Sequence, residues 1–164
     1  MLTLAVGALA VALGFRLDGP TVIHGSPLVG KSAPAIRLTD LEGRTVDLAD
    51  YRGRPVIINF WASWCEPCKK EFPLFVAVRA AHVADGLEIL GIVHDDSADL
   101  ARAFASAQGA PWPMLMDPDD VAWNAYAGIG LPTTFYVDRA GVVRVVSFGP
   151  PASGSIEELI ARIL

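Results

Sequence analysis

The chain has almost no cysteine: Cys65 and Cys68 are the only two in 164 residues. Two sulfurs cannot build a disulfide framework or, by themselves, a four-ligand zinc site. They can form one reversible bond, and with no third cysteine an oxidised pair has to be reset by another protein. Basic charge is also scarce. Thirteen Lys and Arg stand against eighteen Asp and Glu, for a formal net charge of −5. Nothing resembles a basic stripe for phosphates, which argues against nucleic acid as a partner. His24, His82 and His94 are too widely separated for a metal-ligand pattern and read as surface or loop positions. The acidic stretches Asp95-Asp96 and Asp117 to Asp120 lack the repeat spacing of a calcium loop and read as helix caps or solvated residues. No metal or other cofactor is expected. Internal repeats, low-complexity segments and a second domain are absent from the pattern.

What is present is apolar: hydrophobic residues make up 52% of the chain, enough for the core of one domain. Met1 to Phe15 carries no charge. As a helix this stretch would span roughly 22 Å, short of the ~30 Å hydrocarbon core, and it extends through Leu17 if Arg16 snorkels at the interface. Residues 1–17 therefore read as a membrane anchor or signal segment. Residues 18–27 read as a Gly- and Pro-bearing tether, and 28–164 as the folded domain.

Within that domain, Ile36–Thr39 and Thr45–Leu48 alternate apolar and polar residues around Asp40-Leu41-Glu42-Gly43-Arg44, the pattern of a hairpin. The run Val56-Ile57-Ile58-Asn59-Phe60 is a buried strand, and Leu87 to Val93 is a second. A helix is expected from about Glu66 to Ala84, with Phe72, Phe75, Val76 and Arg79 on one face. Pro73 inside it removes the bond to the Lys69 carbonyl and should kink it. Asp95, Asp96 and Ser97 offer caps for a helix through Gln108. Trp112 to Met116 reads as a short strand, Asp119 to Ala127 as a helix, and Thr133–Asp138 with Val142–Phe148 as a hairpin. The last helix, Ser155 to Leu164, places Ile156, Leu159, Ile160 and Ile163 on one stripe. Strands alternating with helices, then a terminal hairpin and helix, predict an α/β fold with a mixed sheet covered on both faces.

The chemistry concentrates where the first buried strand gives way to the first helix, in Phe60-Trp61-Ala62-Ser63-Trp64-Cys65-Glu66-Pro67-Cys68-Lys69-Lys70-Glu71. With Cys65 at the N-cap, the first turn points free N–H groups and the positive end of the helix dipole at its sulfur, favouring the nucleophilic thiolate. Pro67 occupies a first-turn position where no N–H is needed. Cys68, one turn on, can close a disulfide or attack one made at Cys65. A C-x-x-C alone also suits half a zinc knuckle or a structural bond. The missing second ligand pair and the flanking Trp64 and Pro67 favour redox chemistry.

Trp64-Cys65-Glu66-Pro67-Cys68-Lys69, with Pro132 far downstream, resembles the thioredoxin superfamily. Together with Gly130-Leu131-Pro132-Thr133-Thr134-Phe135 it resembles the extracytoplasmic, membrane-associated branch comprising the ResA, CcmG/DsbE and TlpA group. The resemblance runs from about Gly25 to the C-terminus. It implies a thioredoxin-like fold with an N-terminal hairpin and, between about Ser97 and Ala127, a strand–helix insert. It implies Cys65 as attacking thiolate and Cys68 as resolving thiol. Pro132 would be the family's cis-proline facing the disulfide, turning the Leu131 backbone outward to pair with an extended substrate, with Thr133 beside it. Cytoplasmic thioredoxins carry a proton-shuttling Asp where this chain has Asn59, which cannot titrate. Glu71, three residues after Cys68, matches a family glutamate and is expected to take that role, partly buried. Glu66 replaces the usual Gly and is expected to pair with Lys70. Trp64 is expected to be exposed for docking, and Trp61 to lie largely in the core.

The function so implied is a monomeric protein thiol-disulfide oxidoreductase, tethered outside the cytoplasm of a bacterium. It would reduce disulfides of a substrate protein, apocytochrome c foremost, with electrons from a membrane thiol transporter of the CcdA or DsbD kind. An oxidase or isomerase uses the same motif in the other direction, and a copper-delivery module using both sulfurs is the competitor from another class. A peroxidase is disfavoured by the missing Thr-x-x-Cys.

Overall fold

The structure, a computed structural model, describes residues 21–23, 25–152 and 154–164. The apolar segment 1–17, His24 and part of the 18–27 tether lie outside the described residues.

The fold is built on β4 (Val56–Trp61), whose six residues are all buried. A strand with no exposed side must be covered on both faces, and its side chains alternate between two cores. Ile57 and Trp61 face one; Val56, Ile58 and Phe60 face the other. β4 pairs in parallel with β5 (Glu88–Val93), which pairs in parallel with β6 (Met114–Met116). On the other side it pairs antiparallel with β7 (Thr133–Val137), which forms a hairpin with β8 (Val143–Phe148). The expected N-terminal hairpin is β2 (Arg37–Asp40) with β3 (Thr45–Asp47). The Asp40 carboxylate ties its turn, accepting the N–H groups of Glu42 at 3.0 Å and Arg44 at 2.8 Å. β1 (Thr21–Val22), within the expected tether, adds to the outer edge of β8. The eight strands lie in the order β1-β8-β7-β4-β5-β6-β2-β3, a mixed sheet as expected.

Helix α1 (Glu66–Ala81) covers the Ile57/Trp61 face together with α2 (Ala98–Ala107) and α4 (Ser155–Ile160). Helix α3 (Val121–Ala125) covers the opposite face through Ala122, with Tyr126 just beyond it. Between the sheet and α1, Trp61 meets Phe72 edge-on at 4.8 Å. Gly91 permits this layer: a Cβ there would lie 2.9 Å from the Trp61 indole nitrogen and 2.5 Å from the Met114 sulfur. The terminal stripe of Ile156, Leu159, Ile160 and Ile163 is buried as expected, although α4 ends at Ile160, four residues short of the expected Leu164, and Ile163 lies in the turn beyond it.

Other expectations about helices are also corrected. The buried stripe of α1 runs Cys68, Glu71, Phe72, Phe75 and Val78; Val76 is only partly buried. The helix continues through the exposed Pro73 and stops at Ala81, three residues early. A 3-10 turn, Val83–Asp85, follows, and Gly86 at φ 75° redirects the chain into β5. Helix α3 has five residues rather than nine, because the buried Asp117 carboxylate accepts the N–H groups of Ala122 and Trp123 and fixes where it starts.

His82 fastens α1 to α4. At the end of α1, its Nδ1 lies 2.9 Å from the Asp85 carboxylate and its Nε2 2.9 Å from that of Glu157 on α4. These two carboxylates, Glu157 foremost, raise its pKa above the ordinary 6.5. Stabilisation by this clasp is therefore full below about pH 6.5 and lost as pH rises through the higher folded-state value. Urea unfolding should show His82→Gln less stable than the parent by up to about 1 kcal/mol at pH 6, the gap closing towards pH 9. Parallel pH profiles would contradict the clasp.

Candidate active site

Three loops meet at the end of the sheet where β4 finishes. Strand β4 delivers Trp61 and Ala62 into the core, both fully buried, and the chain turns through Ser63 and Trp64 into α1. Cys65 is the N-cap, with extended backbone at φ −78°, ψ 103°. Its sulfur accepts the Cys68 N–H at 3.2 Å, and its carbonyl accepts that of Lys69 at 3.2 Å. The sulfur thus lies at the positive end of a sixteen-residue helix. Cys65 and Cys68 are joined as a disulfide. Cys65 retains 4% exposure and Cys68 none, so access to the pair is through Cys65.

Glu71 follows Cys68 by one turn on the sheet-facing side of α1 and is completely buried, beyond the partial burial expected. Its Oε1 accepts the side-chain N–H of Asn59 at 2.8 Å; Oε2 has no partner. Burial pushes the Glu71 carboxyl well above the ordinary carboxylate range, and the Asn59 hydrogen bond opposes this without reversing it. Asn59 is also 98% buried and gives its second N–H to Thr134 Oγ1 at 3.0 Å. Tyr136, two residues further along β7, is buried beside them, and burial likewise drives its phenol upward.

Trp64 is 56% exposed, the rim residue expected of it. Its indole N–H donates to the Asp95 carbonyl at 2.8 Å, and Asp96 accepts the Ser63 N–H at 2.6 Å and the Ser97 N–H at 2.8 Å. Asp96 therefore anchors the cysteine loop, a role beyond the capping or solvation expected of it. The sequence does hold a signal for it: β4 and β5 are parallel neighbours, so the loops leaving them must lie side by side. Glu66 pairs with Lys69, not Lys70 as expected, because the Lys69 side chain follows it at i,i+3. Pro67 sits in the first turn.

The third loop precedes β7. The Leu131–Pro132 peptide is cis, as expected. Thr133 pairs with Phe60 across the sheet, which brings Leu131, Pro132 and Thr133 to the same end as the cysteines. The Pro132 carbonyl accepts the Gly149 N–H at 3.0 Å, and Thr133 Oγ1 donates to the Gly130 carbonyl at 2.6 Å. Among the described residues, neither backbone polar group of the half-buried Leu131 has a backbone partner. The Phe148 ring lies over Gly130, where a Cβ would approach to 2.9 Å. His94, in the loop after β5, is less exposed than a surface residue: it stacks on Trp123 with ring centroids 3.8 Å apart, and Asp120 lies 3.1 Å from its Nδ1.

Comparison with known proteins points the same way. Residues 29–146 match the model of the AhpC/TSA family. The chain is 34% identical to the thiol-disulfide oxidoreductase ResA of Geobacillus thermodenitrificans, over 99% of this chain and 94% of that protein. It is 37% identical to ResA of Bacillus subtilis, over 85% of this chain and 79% of that one. Among solved structures, a putative thiol:disulfide interchange protein DsbE from Chlorobium tepidum superposes with a TM-score of 0.75 at 30% identity. That match covers 81% of this chain and 95% of the other.

Replacing Asp96 by Ala removes the acceptor that holds Ser63. Urea unfolding of the oxidised protein should show a loss of about 1–3 kcal/mol, with faster hydrogen exchange at the Ser63 amide. Unchanged stability and exchange would mean that Asp96 does not anchor the loop.

Proposed function

The chain belongs to the AhpC/TSA family of the thioredoxin superfamily and is a protein thiol-disulfide oxidoreductase; on that premise we propose that it reduces disulfides of a partner protein outside the cytoplasm. The observation that carries this reading is the Cys65 sulfur at the start of α1, bonded to a Cys68 sulfur with no exposure.

The cycle begins with both cysteines reduced. The Cys65 thiolate attacks one sulfur of the substrate disulfide, forming a mixed disulfide and expelling the other substrate sulfur as thiolate. Cys68 loses its proton, for which Glu71 is the acceptor, and attacks Cys65 Sγ. The mixed bond breaks, the substrate leaves with both sulfurs reduced, and Cys65–Cys68 is oxidised. A second dithiol returns two electrons by the same steps reversed. A buried carboxylate beside Cys68 disfavours its thiolate in the free enzyme. That restrains general reduction and leaves the second attack to the mixed-disulfide stage. The Leu131 backbone and Thr133 offer an extended substrate segment its pairing edge, with Trp64 and Pro67 on the opposite rim. Glu66 supplies charge at that rim.

The ResA likeness supports a place in cytochrome c maturation, with apocytochrome c as substrate and a CcdA- or DsbD-type membrane protein as reductant. The domain would be 28–164, and the apolar residues 1–17 would anchor it to the membrane. The alignment with the Geobacillus relative, which spans 99% of the chain, extends into that segment. Among the described residues no helix is long and apolar enough to cross a membrane.

Insulin reduction in the presence of dithiothreitol should be fast for the parent and fall to background for Cys65→Ala. Cys68→Ser should instead accumulate a mixed disulfide with its substrate. A Cys65→Ala protein as active as the parent would overturn the assignment. In the reduced Cys65→Ser protein, Glu71→Gln should lower the pH midpoint of the Cys68 thiolate by roughly one unit, since a neutral amide no longer competes with it as an anion. An unmoved midpoint would remove Glu71 from the proton path.

A further inference from the structure

The buried carboxyl of Glu71 does not stand free. The row of cross-strand partners Asn59, Thr134 and Ser147 runs over β4, β7 and β8 on the face covered by α1. All three are polar and at least 98% buried. Polar side chains in such a row cost stability unless they are used. Asn59 makes two hydrogen bonds with one nitrogen: one N–H to Glu71 Oε1 at 2.8 Å, the other to Thr134 Oγ1 at 3.0 Å. The Thr134 bond fixes the plane of the amide, and the amide then fixes the carboxyl. An oxygen that receives an N–H cannot also carry the acid's proton along that direction. The two oxygens of Glu71 are therefore unequal: Oε1 is an acceptor held by Asn59, and Oε2 is the buried atom with no partner.

We propose that Asn59, locked by Thr134, is a positioning residue that assigns the exchangeable proton of Glu71 to Oε2, the oxygen left free to trade it with Cys68. This rests on the reading of Glu71 as the proton acceptor for Cys68. Asparagine suits the role better than aspartate. It is always a donor towards Glu71, whereas two buried carboxyls in contact would share one proton between themselves. The other groups around Glu71 leave it in charge of the site. Cys68 is one turn away on α1, and Tyr136 on β7 is a neutral phenol. Arg79, two turns along α1, is paired with Glu88 at 3.1 Å. Glu157 and Glu158 on α4 are exposed.

The test is titration of the Cys68 thiolate by its ultraviolet absorbance in the reduced full-length Cys65→Ser protein. Thr134→Val and Asn59→Ala are each made alone and combined with Glu71→Gln. Asn59→Ala takes the donor from the Glu71 anion and Thr134→Val releases the amide from the orientation that delivers it, so in either the anion forms only at higher pH and Cys68 ionises beside a neutral neighbour. The Cys68 midpoint should fall by about one pH unit, a tenfold gain in acidity, in the direction of Glu71→Gln itself. Thr134→Ser, which keeps the hydroxyl, should restore the parental midpoint, a recovery that a packing defect would not show. Combined with Glu71→Gln, neither clamp substitution should shift the midpoint further. A midpoint moved by Glu71→Gln but untouched by Thr134→Val would overturn the clamp while leaving Glu71 in place. Equal shifts with and without Glu71 would overturn it too, by showing that the pair acts on Cys68 directly. If Glu71→Gln itself moves nothing, the proton role of Glu71 falls and the clamp falls with it. Should Asn59→Ala fail to fold, the Thr134 pair decides alone.

Discussion

A helix has to begin somewhere, and the first N–H groups of that helix have to find acceptors. In this protein the acceptor that caps α1 is a sulfur atom. The Cys65 Sγ receives the Cys68 N–H at 3.2 Å, so backbone capping and thiol activation are one interaction. The rest of the architecture keeps that junction in place. The wholly buried β4 fixes where the chain emerges, its parallel neighbour β5 brings Asp96 against Ser63, and antiparallel β7 brings Pro132 to the same end of the sheet. Helix α1 is held from below by Phe72, Phe75 and Val78 and at its far end by His82. The reactive bond therefore sits on a frame that leaves Cys65 reachable and Cys68 sealed.

One turn along α1 from Cys68 a hydrogen-bonded polar group, Glu71 with Asn59 and Thr134, is buried in an apolar layer. A fully buried carboxylate is expensive unless it takes up a proton or is richly hydrogen-bonded. Glu71 has one donor, Asn59, and that bond is too little to offset the loss of water, so the carboxyl ionises only well above the ordinary carboxylate range. On the proposed reading the Glu71 anion competes with that of Cys68, an arrangement poorly suited to a general reductant with a permanently ionised second thiol. It suits an enzyme whose second step waits for a partner. On the proposed reading, the stability lost by burying Glu71, Asn59 and Thr134 serves control over when Cys68 becomes a nucleophile.

Much of this was legible in the residues. The short apolar run of Val56 to Phe60 reads as a buried strand, and Thr133–Asp138 with Val142–Phe148 around Arg139-Ala140-Gly141 reads as the terminal hairpin. The C-x-x-C at a strand–helix junction points to redox chemistry because Trp64 and Pro67 flank it and no second ligand pair accompanies it. Glu71 was marked by its i,i+3 relation to Cys68. Its complete burial and its bond to Asn59 were not, because they depend on how α1 rolls against the sheet. That roll placed Val78, not Val76, in the core. Helix ends were the least readable feature. The short α3 is set by Asp117 reaching forward to Ala122 and Trp123, and the end of α1 by the turn that Gly86 allows. Asp96 and Thr134 act across strand pairings between residues 33 and 75 positions apart. No local pattern announces contacts of that range.

On this reading the helix-capping Cys65 is the outward, activated sulfur and Cys68 the sealed one. Timed alkylation of the fully reduced protein with limiting iodoacetamide at neutral pH, read by peptide mass spectrometry, tests it directly. Cys65 should be modified at least about tenfold faster than Cys68. Equal rates, or Cys68 reacting first, would contradict it.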